Sequence, residues 1–196
     1  MASTFVNNLR LTEMATGENT STWGDVTNVN LEMIGQALAY GVENLAATAD
    51  ATITMADGAL DTVRSMYLKL TSTTLNATRT VTLAPNTVSK MWMIENATTG
   101  GQSIIIKQGS GATVTIANGK TSVVYTDGAG SGAKVVDAYN SLSVGGLTVG
   151  DNKKLLLGSD DDAEIYHDGS NMYFKNDTGN TLAYSDTFQF FSHTGS

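Results

Sequence analysis

Between residues 51 and 139 the chain runs as short apolar-polar segments, parted at near-regular intervals by glycine-containing turns, and few folds accommodate that pattern. Candidate strands are 52–55, 66–71, 80–83, 91–96, 103–108, 113–117, 122–126 and 133–138. Their alternation is plain in Val81/Leu83, Trp92/Ile94, Ile104/Ile106 and Val114/Ile116, as a half-buried strand requires. The separators are Asp57-Gly58, Gly100-Gly101, Gly109 to Gly111, Asn118-Gly119 and Asp127-Gly128. Strands at this spacing predict a β-sandwich or a jelly-roll-like domain. Asn118-Gly119, between 113–117 and 122–126, reads as the clearest hairpin.

Composition supports a β protein with few charges. Thr, Gly, Ser and Asn make up 79 of the 196 residues, while charged residues are only 15%. Thr suits a pleated, half-buried surface, and Gly and Asn suit turns with positive φ. The net charge is −8, and no Lys/Arg cluster offers a nucleic-acid backbone the basic face it needs. Cys is absent, which removes disulfides and thiolate metal sites. No apolar run approaches the ~20 residues of a membrane span, and the first residues lack the pattern of a signal peptide.

The two ends differ from the middle. Residues 1–41 begin extended, turn near Thr16-Gly17 and Ser21-Thr22, and then carry the one convincing helical pattern, over 27–40. Leu31, Ile34 and Leu38, widened by Ala37, form its apolar stripe. Asp25, Thr27 and Asn28 are candidate caps, Gly41 sits where a left-handed stop belongs, and Gly35 suggests a close approach to another backbone. Residues 140–196 hold the short pieces 142–144, 147–149 and 155–157, broken by glycines. Two alternating strands follow around Asp168-Gly169. One hairpin is marginal in water, so these apolar side chains are expected to be covered by identical neighbours. The subunit-interface candidates are Leu147, Val149, Leu155, Leu157, Ile165, Tyr166, Met172 and Phe174.

Two segments resemble phage tail-fibre proteins. Thr22-Trp23-Gly24-Asp25-Val26-Thr27-Asn28-Val29-Asn30-Leu31 is similar to the TWG-x-x-x-N-x-N motif near the start of many of them. Residues 158–171, with Ile165-Tyr166-His167-Asp168-Gly169-Ser170-Asn171 at their centre, resemble a unit of marine-phage fibres that often recurs there and occurs once here. The motifs cover about a quarter of the chain. The resemblance implies a homotrimeric structural protein of the virion tail, with no catalytic site. Its N-terminal region would dock a tail adaptor, nozzle or tail-tube protein through Trp23, Asn28, Leu31, Ile34 and Leu38. A host receptor would be met by residues beyond Ser196. The expected organisation is mainly β: an extended arm with one short helix (1–41), a β-sandwich or jelly-roll-like collar (42–139) and an interwound β-hairpin shaft (140–196). A carbohydrate-binding decoration module is the alternative, and a polysaccharide-degrading tailspike a distant third.

The remaining chemistry-bearing residues have plainer readings. His167 and His193 are far apart in sequence, with no nucleophile placed for catalysis. Asp160, Asp161, Asp162 and Glu164 lack the spacing of a calcium loop and read as a solvated turn. The segments 109–111 and 128–132 lack the P-loop ending and read as hairpin tips. Trp92 reads as a core or inter-subunit residue. Trp23 fits either a partner's pocket or a fold-back onto Leu31 and Ile34. No metal or cofactor is expected.

Overall fold

The computed structural model describes residues 2–158, 160–185 and 187; His193 and the 190–196 segment lie outside them. The chain divides into two compact units, one ending at Leu142 and the other beginning at Ser143. The arm and helix of 1–41 therefore belong to the same unit as the collar.

The first unit holds helix α1 (Trp23–Ala37) and nine strands: β1 (Tyr40–Leu45), β2 (Ala51–Thr54), β3 (Tyr67–Ser72), β4 (Arg79–Ala84), β5 (Met91–Asn96), β6 (Ile104–Lys107), β7 (Val114–Ile116), β8 (Thr121–Thr126) and β9 (Val135–Asp137). All eight segments read as strands form β2 to β9. Strand β1 was not foreseen. Gly41, expected to stop the helix, lies inside it, where a Cβ would come 2.5 Å from the Thr62 carbonyl oxygen. The helix also starts and ends earlier than its stripe suggested. Thr22 precedes it without a side-chain cap, and Asp25 lies in its first turn, near the positive end of the dipole.

The strands form two sheets, in the orders β1-β3-β5-β8-β9 and β2-β4-β6-β7. Successive strands from β1 to β6 change sheet each time, so β1, β3 and β5 run parallel, as do β2, β4 and β6. The sheets share one core, with Leu68, Leu70, Trp92, Ile94 and Val124 on one side and Val81, Leu83, Ile104, Ile106 and Ile116 on the other. Each such side chain contributes about 1.5–3 kcal/mol on burial. The two-sheet reading holds, but the antiparallel Greek keys of a jelly roll are replaced by parallel coiling. Crossovers between parallel neighbours, usually helices, are here strands of the facing sheet.

Two corners close the sandwich. Asn118-Gly119 does not form a hairpin: β7 pairs with β6 in one sheet, and β8 pairs with β5 in the other. The turn is held by Asn96, whose carbonyl accepts from Gly119 N at 2.8 Å. The buried Asn96 side chain donates to Gln102 O and Ile116 O and accepts from Thr98 N and Oγ1, leaving no polar group unpaired. At the other corner, the β6-β7 and β8-β9 hairpin tips lie backbone against backbone. Gly109 N and Gly111 N both donate to Ala133 O, at 2.9 and 3.1 Å. A Cβ on Gly109 would sit 2.6 Å from Ala133 N, so this approach requires glycine.

Arm and helix are tied on by a buried cation. Arg64 is fully buried. It donates to the carbonyls of Leu9 (2.9 Å), Ala59 (2.8 Å) and Ala56 (2.8 Å) and pairs with Asp61 at 2.9 Å. Gln36 of α1 reaches the same cluster, accepting from Asp61 N at 3.0 Å. The arm is folded, with Thr4 and Glu13 bridged and Arg10 paired with Asp57 at 2.7 Å.

Among its described residues the second unit holds one antiparallel sheet, β10 (Lys154–Leu157), β11 (Ala163–His167) and β12 (Met172–Asn176), in that order. Replacing Arg64 by Ala strands three carbonyls and the Asp61 charge. It should lower the unfolding free energy of the first unit by about 3–5 kcal/mol, measured by urea denaturation, and expose the arm to protease first.

Candidate interaction surfaces

The side chains that stand out are apolar groups left facing solvent. Along α1 and its C-cap Leu38, residues 23, 27, 31, 34 and 38 fall within an arc of about 80° at 3.6 residues per turn. Trp23, Leu31, Ile34 and Leu38 are 62%, 61%, 41% and 69% exposed. Thr27, the polar member of the arc, donates its hydroxyl to Trp23 O at 2.8 Å. The helix faces the protein with another side: Met33 and Ala37 are buried, and Asn30 exchanges two hydrogen bonds of 2.9 Å with the backbone of Thr12. Trp23 thus stands out in solvent and does not fold back. Asn28 is also exposed. A Cβ on Gly35 would meet nothing within 4 Å among the described residues, so the expected close approach does not occur within the chain.

The second unit's sheet has two unlike faces. Register aligns Leu155 with Ile165 and Ile165 with Phe174, while Leu157 and Met172 lie on the same face. Leu147 and Val149 line a groove with Leu155, Ile165 and Met172. This face is apolar and open, with Phe174 74% exposed. Tyr166 borders the groove, but its ring does not lie on this face. Alternation puts it on the opposite face, stacked on Tyr173 at 4.7 Å with the Lys154 ammonium 5.1 Å from its ring. That face is completed by Glu164, paired with Lys154 at 2.7 Å and with Lys175 at 3.7 Å.

The turn within Ile165-Tyr166-His167-Asp168-Gly169-Ser170-Asn171 has a local physical explanation. Asp168 Oδ1 accepts from Ser170 N (2.8 Å) and Asn171 N (2.6 Å), and its Oδ2 accepts from the Tyr173 hydroxyl at 2.9 Å. Gly169 supplies a φ of +95°. The backbone donors of Asn171 and Ser170, then the Tyr173 hydroxyl, hold the Asp168 carboxyl down to about 2. His167 Nδ1 lies 3.1 Å from both Asp151 Oδ1 and Gly169 N, so the ring bridges two turns.

Among the described residues no three His, Asp or Glu side chains converge where they could hold a metal ion. Asp162 instead accepts from Thr178 Oγ1 at 3.3 Å. Among the described residues no helix is long and apolar enough to cross a membrane.

The outward face of β1-β3-β5-β8-β9 is a further apolar surface that the sequence reading missed. Tyr40, Val42, Met91, Met93 and Tyr125 are all exposed there. Its signal was present: Met91-Trp92-Met93-Ile94 is apolar on both alternating sets, the pattern of a strand covered on both faces.

Comparison of the chain with protein-family models, curated proteins and solved structures found no match. The described residues form a mainly β chain with one α-helix and mixed sheets, in two units, each with an exposed apolar face.

The Asp168 turn has a definite pH signature. The folded pKa is below the unfolded value of about 3.9, so the carboxylate's stabilisation is complete above that value and is lost as pH falls toward 2. The Ser170 and Asn171 amide shifts should titrate with a midpoint near 2, and Asp168→Asn should abolish that titration.

Proposed function

We propose that this chain is the virion-anchoring part of a phage tail fibre, a structural homotrimer whose α1 face attaches it to the tail. The observation that carries the reading is the stripe of Trp23, Leu31, Ile34 and Leu38, held outward by a helix whose other side is fastened to its own unit. A large aromatic flanked by aliphatic side chains is the composition of an interface anchor. Three symmetric copies engaging together would convert modest affinity per helix into firm attachment by avidity.

The second unit supports the same reading. Its sheet leaves Leu155, Leu157, Ile165, Met172 and Phe174 with too little of their own chain to cover them, and identical neighbours around an axis would do so. The two fibre-like sequence motifs add to this. The first lies at the start of α1 and the second at the β11-β12 turn. The tail-side receptor would be an adaptor, nozzle or tail-tube protein with an apolar groove.

Changing Leu31, Ile34 and Leu38 together to Asp tests the anchor. These side chains are exposed, so the fibre should fold unchanged. Each loses about 1.5–3 kcal/mol of apolar burial on docking, and fibre occupancy on purified particles should fall at least a hundredfold. Particles still carrying fibres would refute the assignment. Light scattering of the purified chain should give three times the 20.6 kDa chain mass.

A further inference from the structure

The two outward faces of the sandwich differ sharply. On β2-β4-β6-β7, register lines up Thr52, Thr82 and Lys107 in one row and Thr80, Ile105 and Thr115 in the next. That is a solvated sheet surface, polar outside and apolar inside. On β1-β3-β5-β8-β9, the corresponding rows are Tyr40, Tyr67, Met93 and Val123, and then Met91, Tyr125 and Val136. The Tyr40 and Tyr67 rings stack at 5.6 Å. One chain, in one solvent, has thus built one face for water and one without regard to it.

We infer that the β1-β3-β5-β8-β9 face is the surface through which this unit meets a second copy of the same chain. The inference rests on the homo-oligomer of the proposed function and assigns it a surface outside the 143–196 segment. Two observations favour a copy of the chain as the occupant. The first is charge. The chain carries −8, so copies repel unless they meet where charge is balanced. The charged pair on this face, Lys69 and Glu95, is joined at 3.2 Å, with Glu95 also accepting from the Tyr67 hydroxyl at 3.0 Å. An identical face can cover that pair without stranding either charge, whereas a charged partner would find nothing to steer toward.

The second is area. Aromatic and long apolar side chains offer about 150–250 Å² each, so this face exposes roughly 500 Å², and three copies turned toward a common axis would bury roughly 1,500 Å² in all, within the range of specific interfaces.

A benzophenone side chain at Met93 of the full chain tests this. Irradiated at low micromolar concentration, the purified protein should give a chain-to-chain cross-link, and the same probe at Thr82 should give at least tenfold less. Met93→Glu, a change on the outward face, should reduce cross-linking from a probe at Tyr125 at least tenfold while circular dichroism stays unchanged. An oligomer by light scattering with no inter-chain product from position 93 would overturn the inference and leave the oligomer standing. A monomeric mass would overturn both. Capture within a single chain would also overturn it.

Discussion

Every strand presents side chains to two faces, and a chain of this length can cover only some of them with itself. In the first unit the inner faces of two sheets cover each other, through Leu68, Ile94 and Trp92 on one side and Val81, Leu83 and Ile106 on the other. That contact fixes the rest. The Asn96 hub is in place because β5 ends there in the interior, and its amide satisfies the carbonyls that the corner strands. Trp92 fills the core and reaches Val63 O with its indole N–H at 2.8 Å. The loop so placed brings Arg64 under the arm, and Arg64 sets the orientation of α1 through Gln36. The outward stripe on the helix is thus a remote consequence of how two sheets pack.

Much of this was legible in the residues. Alternation in Val81/Leu83 and Ile104/Ile106 marked strands and identified their inward side chains, and glycine dipeptides marked where they end. Pairing was not legible, for a physical reason. A turn signal says that the chain changes direction but not whether the next strand lies beside the last or across the core. Asn118-Gly119 is the instructive case, since its four-residue link is as good at changing sheets as at making a hairpin. The helical pattern falls three to four residues later than the helix itself because its apolar stripe is the exposed one. Its buried side rests on Met33 and Ala37, with Asn30 and Gln36 alongside, residues that a hydrophobic pattern undervalues.

The candidate surfaces show the same division. Leu31, Ile34 and Leu38 were found from helical spacing, and Leu155, Ile165 and Phe174 from strand alternation; the structure exposes the first set and aligns the second on one face. Tyr166, named with that set, lies on the other face, where alternation puts it beside Tyr173. The Tyr40, Met93 and Tyr125 surface escaped because an apolar residue in a strand was credited to the core, although Trp92 and Ile94 already fill the inward positions there.

The Asp168 turn is shaped by a carboxylate that is satisfied locally. Its carboxylate, its glycine and the Tyr173 hydroxyl all lie within six consecutive residues, and the hydrogen bonds that shape it come from that same stretch. Its tie to the neighbouring turn is His167, which accepts from Gly169 N and meets Asp151, so the bend makes little demand on distant sequence. The strands that it joins can therefore change in length or sequence without disturbing the bend itself.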